Sequence, residues 1–206
     1  MGLARFVASQ LRKPSGVVGR IVARVLNRGN APMNDLTMKV LDLAPDDQVL
    51  EVGFGGGDLI NRMAPVVGRG RIVGVDFSPD MTALCTRRFA ALVRSGRVEL
   101  RCANVEDLPC ASAEFTKACT VNTIYFWPDP VASLKELRRA LRESGRLVVS
   151  FNPRATAEKL PYTRHGFTLY EPEQVHALLE QAGFRDIRMV EGSSRLGPFV
   201  CAVCTK

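Results

Sequence analysis

The feature that most constrains the fold is a regular alternation of short Val-, Ile- and Leu-rich segments with longer segments of helical periodicity. Strands are predicted at Gln48–Val52, Arg71–Val75, Val98–Cys102, Phe115–Val121, Arg146–Phe151, Asp186–Val190 and Phe199–Cys204. Helices are predicted at Asp58–Val67, Pro79–Val93, Pro130–Arg142 and Pro172–Ala182. Strands that alternate with helices form a parallel sheet with helices on both faces. The predicted fold is therefore α/β and doubly wound, with its ligands beyond the carboxyl ends of the strands.

The chain has 206 residues, of which 46% are hydrophobic and 24% are charged, and this balance suits one compact domain. The segment between the last two predicted strands contains Gly192 and Gly197 and is too short for a crossover helix, so we expect those strands to pair antiparallel. No apolar stretch approaches the roughly 20 residues that a membrane-spanning helix needs. The first residues also lack the apolar centre of a secretory signal.

Positive charge is concentrated at the N-terminus. The formal net charge is +7, and residues 1–34 contain no Asp or Glu, so residues 35–206 are nearly neutral. The basic residues of the first segment are Arg5, Arg12, Lys13, Arg20, Arg24 and Arg28. A nucleic-acid-binding domain spreads its basic residues over the folded body, so we expect no nucleic-acid partner. We predict two units, a basic helical segment at residues 1–34 and a folded domain at residues 35–206.

Within the basic segment, apolar residues between Val17 and Leu26 recur at helical spacing, and the arginines lie on another face. This pattern predicts an amphipathic helix. Three interpretations stay open: a helical lid with solvated arginines, contact of residues 1–28 with an anionic membrane surface, or attraction of an acidic substrate. An arginine-rich start without acids also resembles a mitochondrial transit peptide. Asn27 to Asn34 is predicted to be a turn that leads into a helix ending near Pro45.

The cysteines indicate neither a metal site nor a disulfide framework. They lie scattered at Cys85, Cys102, Cys110, Cys119, Cys201 and Cys204. This usage is typical of small buried side chains in a reducing compartment, so we expect a cytoplasmic protein. Cys201 and Cys204 read C-x-x-C, but in a strand a separation of three residues directs the two side chains to opposite faces.

The most informative segment is VLEVGFGGGDLI, from Val49 to Ile60, which passes from a buried strand through a glycine-rich turn into a helix. Such a turn lets the backbone approach a ligand closely. Asp76 ends the second strand, 19 residues after Gly57, where a carboxylate can accept hydrogen bonds from both hydroxyls of a ribose. The spacing predicts an adenosine-containing cofactor. A dinucleotide fingerprint would require a glycine at Asp58, so a nicotinamide-dependent oxidoreductase is the weaker alternative.

With these residues the sequence resembles the class I S-adenosylmethionine-dependent methyltransferases, in particular the small single-domain type similar to the ubiquinone and menaquinone biosynthesis methyltransferases. The first family motif matches Glu51 to Gly57, and the acidic ribose-binding position falls on Asp76. Further matches are ANVEDLP after the third strand, TVNTIYFWPD after the fourth, and LRESGRL leading into the fifth. The resemblance implies a Rossmann-like, seven-stranded sheet with an antiparallel last strand, and S-adenosylmethionine as cofactor.

The resemblance also implies the cofactor-binding residues, which are Glu51, Gly53, Gly55, Gly57, Asp76, Phe77, Asn104, Val105 and Asn122. Asn104 stands where the family usually has an Asp that holds the adenine amino group, and its amide oxygen can accept the same hydrogen bond. Family geometry alone puts Asn30, Met33 and Asn34 beside the methionine end of the cofactor.

Methyl transfer is an in-line displacement on an activated carbon, so alignment and desolvation can supply most of the catalysis. An acceptor hydroxyl or protonated amine would also need a base. His165 is the candidate, because it follows the fifth strand where this family often forms part of its substrate cap. His176 is predicted to lie on a helix surface. Tyr125 is a second candidate catalytic residue. Tyr125, Phe126 and Trp127 follow the fourth strand, where they form either an aromatic wall of the site or part of the core.

The sequence therefore predicts a methyltransferase acting on a small-molecule acceptor, without a metal. The methylated atom, whether N, O, S or C, and the oligomeric state stay open. One alternative is a lipid or quinone-like acceptor at a membrane surface. Another is a non-catalytic module that binds S-adenosylmethionine without turnover.

Overall fold

A computed structural model describes residues 2–16 and 29–206 of the chain. The strands are β1 (Gln48–Val52), β2 (Arg71–Asp76), β3 (Val98–Cys102), β4 (Phe115–Val121), β5 (Leu141–Phe151), β6 (Arg185–Ser194) and β7 (Gly197–Thr205). The helices are α1 (Leu3–Arg12), α2 (Ala31–Leu41), α3 (Asp58–Met63), α4 (Pro79–Arg88), α5 (Ala90–Arg94), α6 (Pro130–Ala140), α7 (Arg154–Ala157) and α8 (Pro172–Gln181). Single 3₁₀ turns lie at Ile124–Phe126 and Pro161–Arg164.

The seven strands form one sheet in the order β3-β2-β1-β4-β5-β7-β6. Strands β1 to β5 pair in parallel, while β7 runs antiparallel to both β5 and β6. The predicted fold, with its antiparallel last strand, is confirmed. The strand order reverses between β1 and β4, and this switch point is where ligands bind in open α/β sheets.

Two apolar cores lie on opposite faces of the sheet. Val49 and Ile72 pack on one face with α2, α3 and α4, and Leu50 and Val73 pack on the other with α6 and α8. The alternation follows from the two-residue period of a strand. Cys201 and Cys204 lie in the two different cores, as their spacing predicts, and all six cysteines are free thiols.

Several predicted boundaries differ from the structure, and each difference has a local cause. Helix α3 ends at Met63 rather than Val67, because Pro65 cannot donate the backbone hydrogen bond that would continue it. The helix predicted over Pro79–Val93 breaks at Phe89, whose φ of -104° and ψ of 25° are not helical. Asn34 is helical rather than part of a turn, since α2 begins at Ala31.

The N-terminal segment lies on the carboxyl edge of the sheet. Helix α1 packs beside the turn Pro161–Arg164. The Ser78 hydroxyl donates to the Pro14 carbonyl at 2.7 Å, and the Gly16 N–H donates to Asp80 Oδ2 at 2.8 Å. The amphipathic helix predicted from Val17 to Arg28 lies outside the described residues. Among residues 2–16 and 29–206, no helix has the length and apolar character needed to cross a bilayer.

Candidate functional site

A cavity of about 1130 Å³ lies over the carboxyl ends of β1, β2 and β4. The turns that follow these strands contribute Gly53, Phe54, Gly55, Gly56, Asp76, Phe77, Asn122, Thr123, Tyr125, Phe126 and Trp127 to its wall. The turn after β3 adds Ala103, Asn104, Val105 and Glu106. Segments distant in sequence complete the wall with Leu11, Arg12, Pro14, Asn30, Asn34, Asn152, Ala157, Leu160, Tyr162, Thr163, Phe167, Arg195 and Leu196. The cavity is therefore closed by loops and helices that the parallel strands alone do not provide.

The glycines of the loop after β1 have different structural roles. Gly53 has a φ of +76°, and a Cβ there would overlap the Thr123 side chain, so this glycine is required by packing. A Cβ at Gly57 would lie 2.6 Å from Phe89 Cε2. Gly55 has a φ of +49°, and a Cβ there would meet no atom within 4 Å, because it would point into open space. Gly55 is thus the glycine at which a side chain would compete with a ligand.

Asp76 links the glycine loop to the end of β2. It is 6% exposed, and its Oδ2 accepts from the Gly55 N–H at 2.8 Å while its Oδ1 accepts from the Ser78 N–H at 2.9 Å. A carboxylate oxygen has about two acceptor sites, so each oxygen keeps one for a further donor. Burial raises the pKa of Asp76, and the two backbone hydrogen bonds lower it.

Glu51, at the bottom of the cavity, is 4% exposed, and its Oε2 has no hydrogen-bond partner within the described part of the chain. Burial raises the pKa of Glu51 to about 8, and the neighbouring charges of Asp76 and Asp58 add to the effect. A buried acceptor without a donor is costly, as is a buried charge without a counter-charge. The site is therefore suited to a ligand that brings a cationic donor to Glu51.

Hydrogen-bonded amide side chains form part of the cavity wall. Asn122, in the left-handed conformation with a φ of 57°, donates through Nδ2 to Asn30 Oδ1 at 3.0 Å and accepts through Oδ1 from Asn152 Nδ2 at 3.2 Å. The Tyr125 hydroxyl accepts from the Asn152 N–H at 2.5 Å and lies 3.0 Å from Asn122 Oδ1. Asn34 Nδ2 donates to Asp58 Oδ2 at 2.9 Å. The network joins the N-terminal segment to the ends of β4 and β5.

One side of the cavity is aromatic and apolar. Phe126 and Phe167 pack edge to face with ring centroids 4.5 Å apart, and Tyr125 and Tyr162 lie 5.7 Å and 6.0 Å from Phe167. Leu160 and the aliphatic residues Leu11, Ala157 and Leu196 extend this surface. We call these eight residues the apolar wall. Apolar walls with a few polar groups are typical of small-molecule sites.

Comparison with known proteins identifies the chemistry. Residues 49–145 match the family described as a methyltransferase domain. The uncharacterized methyltransferase YdaC of Bacillus subtilis is 28% identical over 186 residues, covering 90% of this chain and 98% of that protein. The solved structure of an S-adenosylmethionine-dependent methyltransferase from Aquifex aeolicus superposes with a TM-score of 0.73 at 20% identity, covering 89% of this chain and 97% of that one.

Together these matches support the assignment of the chain as a class I S-adenosylmethionine-dependent methyltransferase. This confirms the family, the enzyme class and the cofactor predicted from the sequence. The ubiquinone/menaquinone biosynthesis C-methyltransferase UbiE of Geotalea daltonii is 31% identical over 128 residues, covering 61% of this chain and 54% of that protein. The methyltransferase thus matches about half the length of that relative.

Most residues predicted to form the site lie together in the methyltransferase. Glu51, Gly53, Gly55, Asp76, Phe77, Asn104, Val105, Asn122 and Tyr125 all line the cavity. Gly57 is buried against Phe89 behind the loop. His165 is exposed and is not among the residues that line the cavity, and Met33 is buried in the core below it. The structure therefore does not bring His165 to the site where a proton acceptor would be needed.

Several residues of the site were not predicted. These are Asn152, Ala157, Leu160, Tyr162 and Thr163, together with Arg12 of α1 and Arg195 of the β6–β7 turn. The only sequence signal for the β6–β7 turn was its shortness, which indicates a hairpin but not what the hairpin faces. An antiparallel β7 does imply that this turn lies at the carboxyl edge of the sheet, and that argument could have found Arg195.

Proposed function

We propose that the enzyme transfers the methyl group of S-adenosylmethionine, by in-line displacement, to a small-molecule acceptor that has an apolar body and is held in the cavity. The observation that carries this proposal is the continuity of one cavity from Glu51 and Asp76 to the apolar wall. The carboxylates suit a cationic nucleoside, and the apolar wall suits an uncharged acceptor body. The closed surroundings allow the reacting atoms to be aligned away from water.

The residues present fit the cofactor. The unpartnered Oε2 of Glu51 would accept from the cofactor's ammonium group, and the remaining acceptor sites of Asp76 would take the two ribose hydroxyls. Gly55 leaves room for the methionine moiety. Phe77, Asn104 and Val105, on the turns after β2 and β3, would surround the adenine. Asn104 is exposed, so it would contribute a hydrogen bond at the open side of the cavity.

S-adenosylmethionine supplies a methyl carbon already activated by a positively charged sulfur. The chain's own contribution is to orient and to exclude water. Burial raises the pKa of Tyr125, and its hydroxyl is occupied by Asn152 and Asn122, so we assign it a positioning role rather than that of a base. Along the segment 152–167 and the β6–β7 turn, the described residues that line the cavity include no carboxylate and no imidazole. These two segments therefore supply no general base to the acceptor.

The proposed function is tested by incubating the enzyme with methyl-labelled S-adenosylmethionine and a fractionated pool of apolar metabolites. We expect label in a product that extracts into organic solvent, with equimolar S-adenosylhomocysteine. Asp76→Ala is expected to abolish labelling at limiting cofactor, while Asp46→Asn, an exposed substitution at the start of β1 on the opposite edge, leaves it unchanged. Tight cofactor binding without labelled product from any fraction would contradict turnover on such an acceptor.

The two glycines Gly53 and Gly55 give a matched pair of variants. Gly53→Ala is expected to lower the melting temperature by several degrees, because its Cβ overlaps Thr123. Gly55→Ala has no such clash, and its strain is about 1 kcal/mol, but the new methyl group enters the cavity. We therefore expect Gly55→Ala to lose cofactor affinity and to change the melting temperature less than Gly53→Ala does. Equal losses of stability and affinity in both variants would contradict the separation of roles.

We further propose that residues 1–34 form a lid on the methyltransferase domain of residues 35–206. The hydrogen bonds of Pro14 with Ser78 and of Asn30 with Asn122 support this division, since each joins residues 1–34 to the chain that follows β2 or β4. The second candidate function, a lipid acceptor taken from a membrane surface, is favoured by one observation. Leu3 of α1 is 79% exposed in a segment whose only charges are basic.

The membrane alternative predicts that the full chain sediments with anionic vesicles and not with zwitterionic ones. The variant Leu3→Ser would weaken that sedimentation, whereas Val66→Ser, which removes another exposed apolar side chain away from α1, would not. If the full chain does not bind anionic vesicles, the acceptor reaches the cavity from solution.

A further inference from the structure

Two arginines at the cavity are not neutralised by the protein. Arg12 of α1 and Arg195 of the β6–β7 turn are both exposed and both line the cavity. Neither takes part in an ion pair within residues 2–16 and 29–206, and residues 17–28 contain no acid that could supply one. By contrast, Arg62 and Arg139 are each held by carboxylates.

The segments that carry these arginines both contact the chain that follows β5. Strand β6 runs parallel to β1–β5, so the turn that carries Arg195 lies at the carboxyl edge of the sheet. The Thr156 hydroxyl fixes that turn by donating to the Pro198 carbonyl at 2.9 Å. Arg12 ends the helix that packs beside the turn Pro161–Arg164. Both segments therefore contact the chain between Thr156 and Arg164, which contributes Ala157, Leu160 and Tyr162 to the apolar wall.

Charge in the cavity is segregated. The carboxylates that line the cavity, Glu51, Asp58, Asp76 and Glu106, lie on β1 and β2 and on the segments that follow β1 and β3, whereas Arg12 and Arg195 lie on α1 and the β6–β7 turn. Leu11 precedes Arg12 and Leu196 follows Arg195, and both leucines also line the cavity. A ligand along this wall would meet an apolar surface first and then cationic groups at its exposed end.

We infer that the methyl acceptor is an amphipathic anion, with an apolar or aromatic body against Phe126 and Phe167 and a carboxylate, sulfonate or phosphate held by Arg12 and Arg195. This inference rests on the proposed function, since it identifies the acceptor class for the same cavity. Guanidinium groups suit such anions because they present several donors in a fixed plane. Their position at the rim also attracts an anionic acceptor from solution.

The test uses a matched pair of fluorescent probes and the full chain saturated with S-adenosylhomocysteine. The anionic probe is 8-anilinonaphthalene-1-sulfonate, and N-phenyl-1-naphthylamine is the same apolar body without the sulfonate. We expect the sulfonate to bind about tenfold more tightly. Arg12→Gln and Arg195→Gln are each expected to remove most of that preference without changing the affinity of the neutral probe. Phe167→Leu is expected to weaken both probes, and the exposed Arg94→Gln, at the end of α5, is the control that changes neither.

Two outcomes would overturn the inference. Equal affinities for the two probes, unaffected by either arginine variant, would mean that the rim does not select an anion. A loss of S-adenosylmethionine affinity in the arginine variants would instead assign the arginines to the carboxylate of the cofactor. Failure of the proposed function is distinguishable from both, because it is detected as the absence of labelled product in the methyl-transfer assay, which uses neither probe and neither arginine variant.

Discussion

Asp76→Ala will weaken binding of S-adenosylmethionine by about 5–150-fold, which corresponds to the loss of charge-assisted hydrogen bonds worth about 1–3 kcal/mol. The buried carboxylate accepts from Gly55 and Ser78, so the variant loses both the ribose partner and the hydrogen bond that holds the glycine loop. Isothermal titration calorimetry with S-adenosylmethionine measures the effect directly.

Asp76→Asn separates the two contributions, because its single carbonyl oxygen can replace only one of the two carboxylate oxygens. We expect an affinity between that of Asp76→Ala and that of the unmodified enzyme. Asp46→Asn serves as the control for general effects of removing an acid. An unchanged dissociation constant in Asp76→Ala would contradict the assignment of the ribose to this residue.

The affinity for S-adenosylmethionine will rise with pH, by up to tenfold per unit, between about pH 6 and 7.5. The pKa of Glu51 is raised to about 8 in the ligand-free enzyme, so Glu51 is largely protonated in this range. A cationic ligand favours the ionised carboxylate, and binding therefore releases a proton. Calorimetry in two buffers of different ionisation enthalpy counts that proton.

The same residue sets a pH dependence of stability in the ligand-free enzyme. The pKa of Glu51 is about 8 in the folded state, against an ordinary value of 4.5. The folded state therefore binds this proton more tightly than the unfolded state does. The stability that the bound proton contributes is fully present below pH 4.5 and is lost as the pH rises to 8. The lost contribution is of the order of 3–5 kcal/mol. Glu51→Gln is expected to abolish both the proton release and this loss of stability. If the variant retains the full pH dependence of affinity, a group other than Glu51 is responsible.

The strands and the glycine loop could be predicted because their signals are local. A buried parallel strand reads as a continuous apolar run, and β1, β3 and β4 have the predicted boundaries. The positions of Asp76 and the glycines follow from the strand ends, since the carboxyl ends of parallel strands meet at one edge. The same logic located Asn122 and Tyr125 at the cavity.

The rest of the site depends on packing between segments distant in sequence. Pro32 was interpreted as part of a turn, but proline is also favoured in the first turn of a helix, and there it starts α2 and places Asn34 inside the helix. His165 lies in a loop, and no local pattern determines whether a loop side chain faces a cavity or the solvent. Arg12 and Arg195 reach the cavity only through the packing of α1 and the hairpin on the segment after β5.

The β6–β7 hairpin also has an evolutionary consequence. Its two strands are fixed by pairing with each other and with β5, while its tip extends past the sheet to the place where the acceptor would enter. Loops tolerate insertions and deletions far better than paired strands do. Lengthening or trimming this tip would reshape the entrance without disturbing the nucleoside-binding half, so related enzymes could diversify their acceptors by changes of a few codons here.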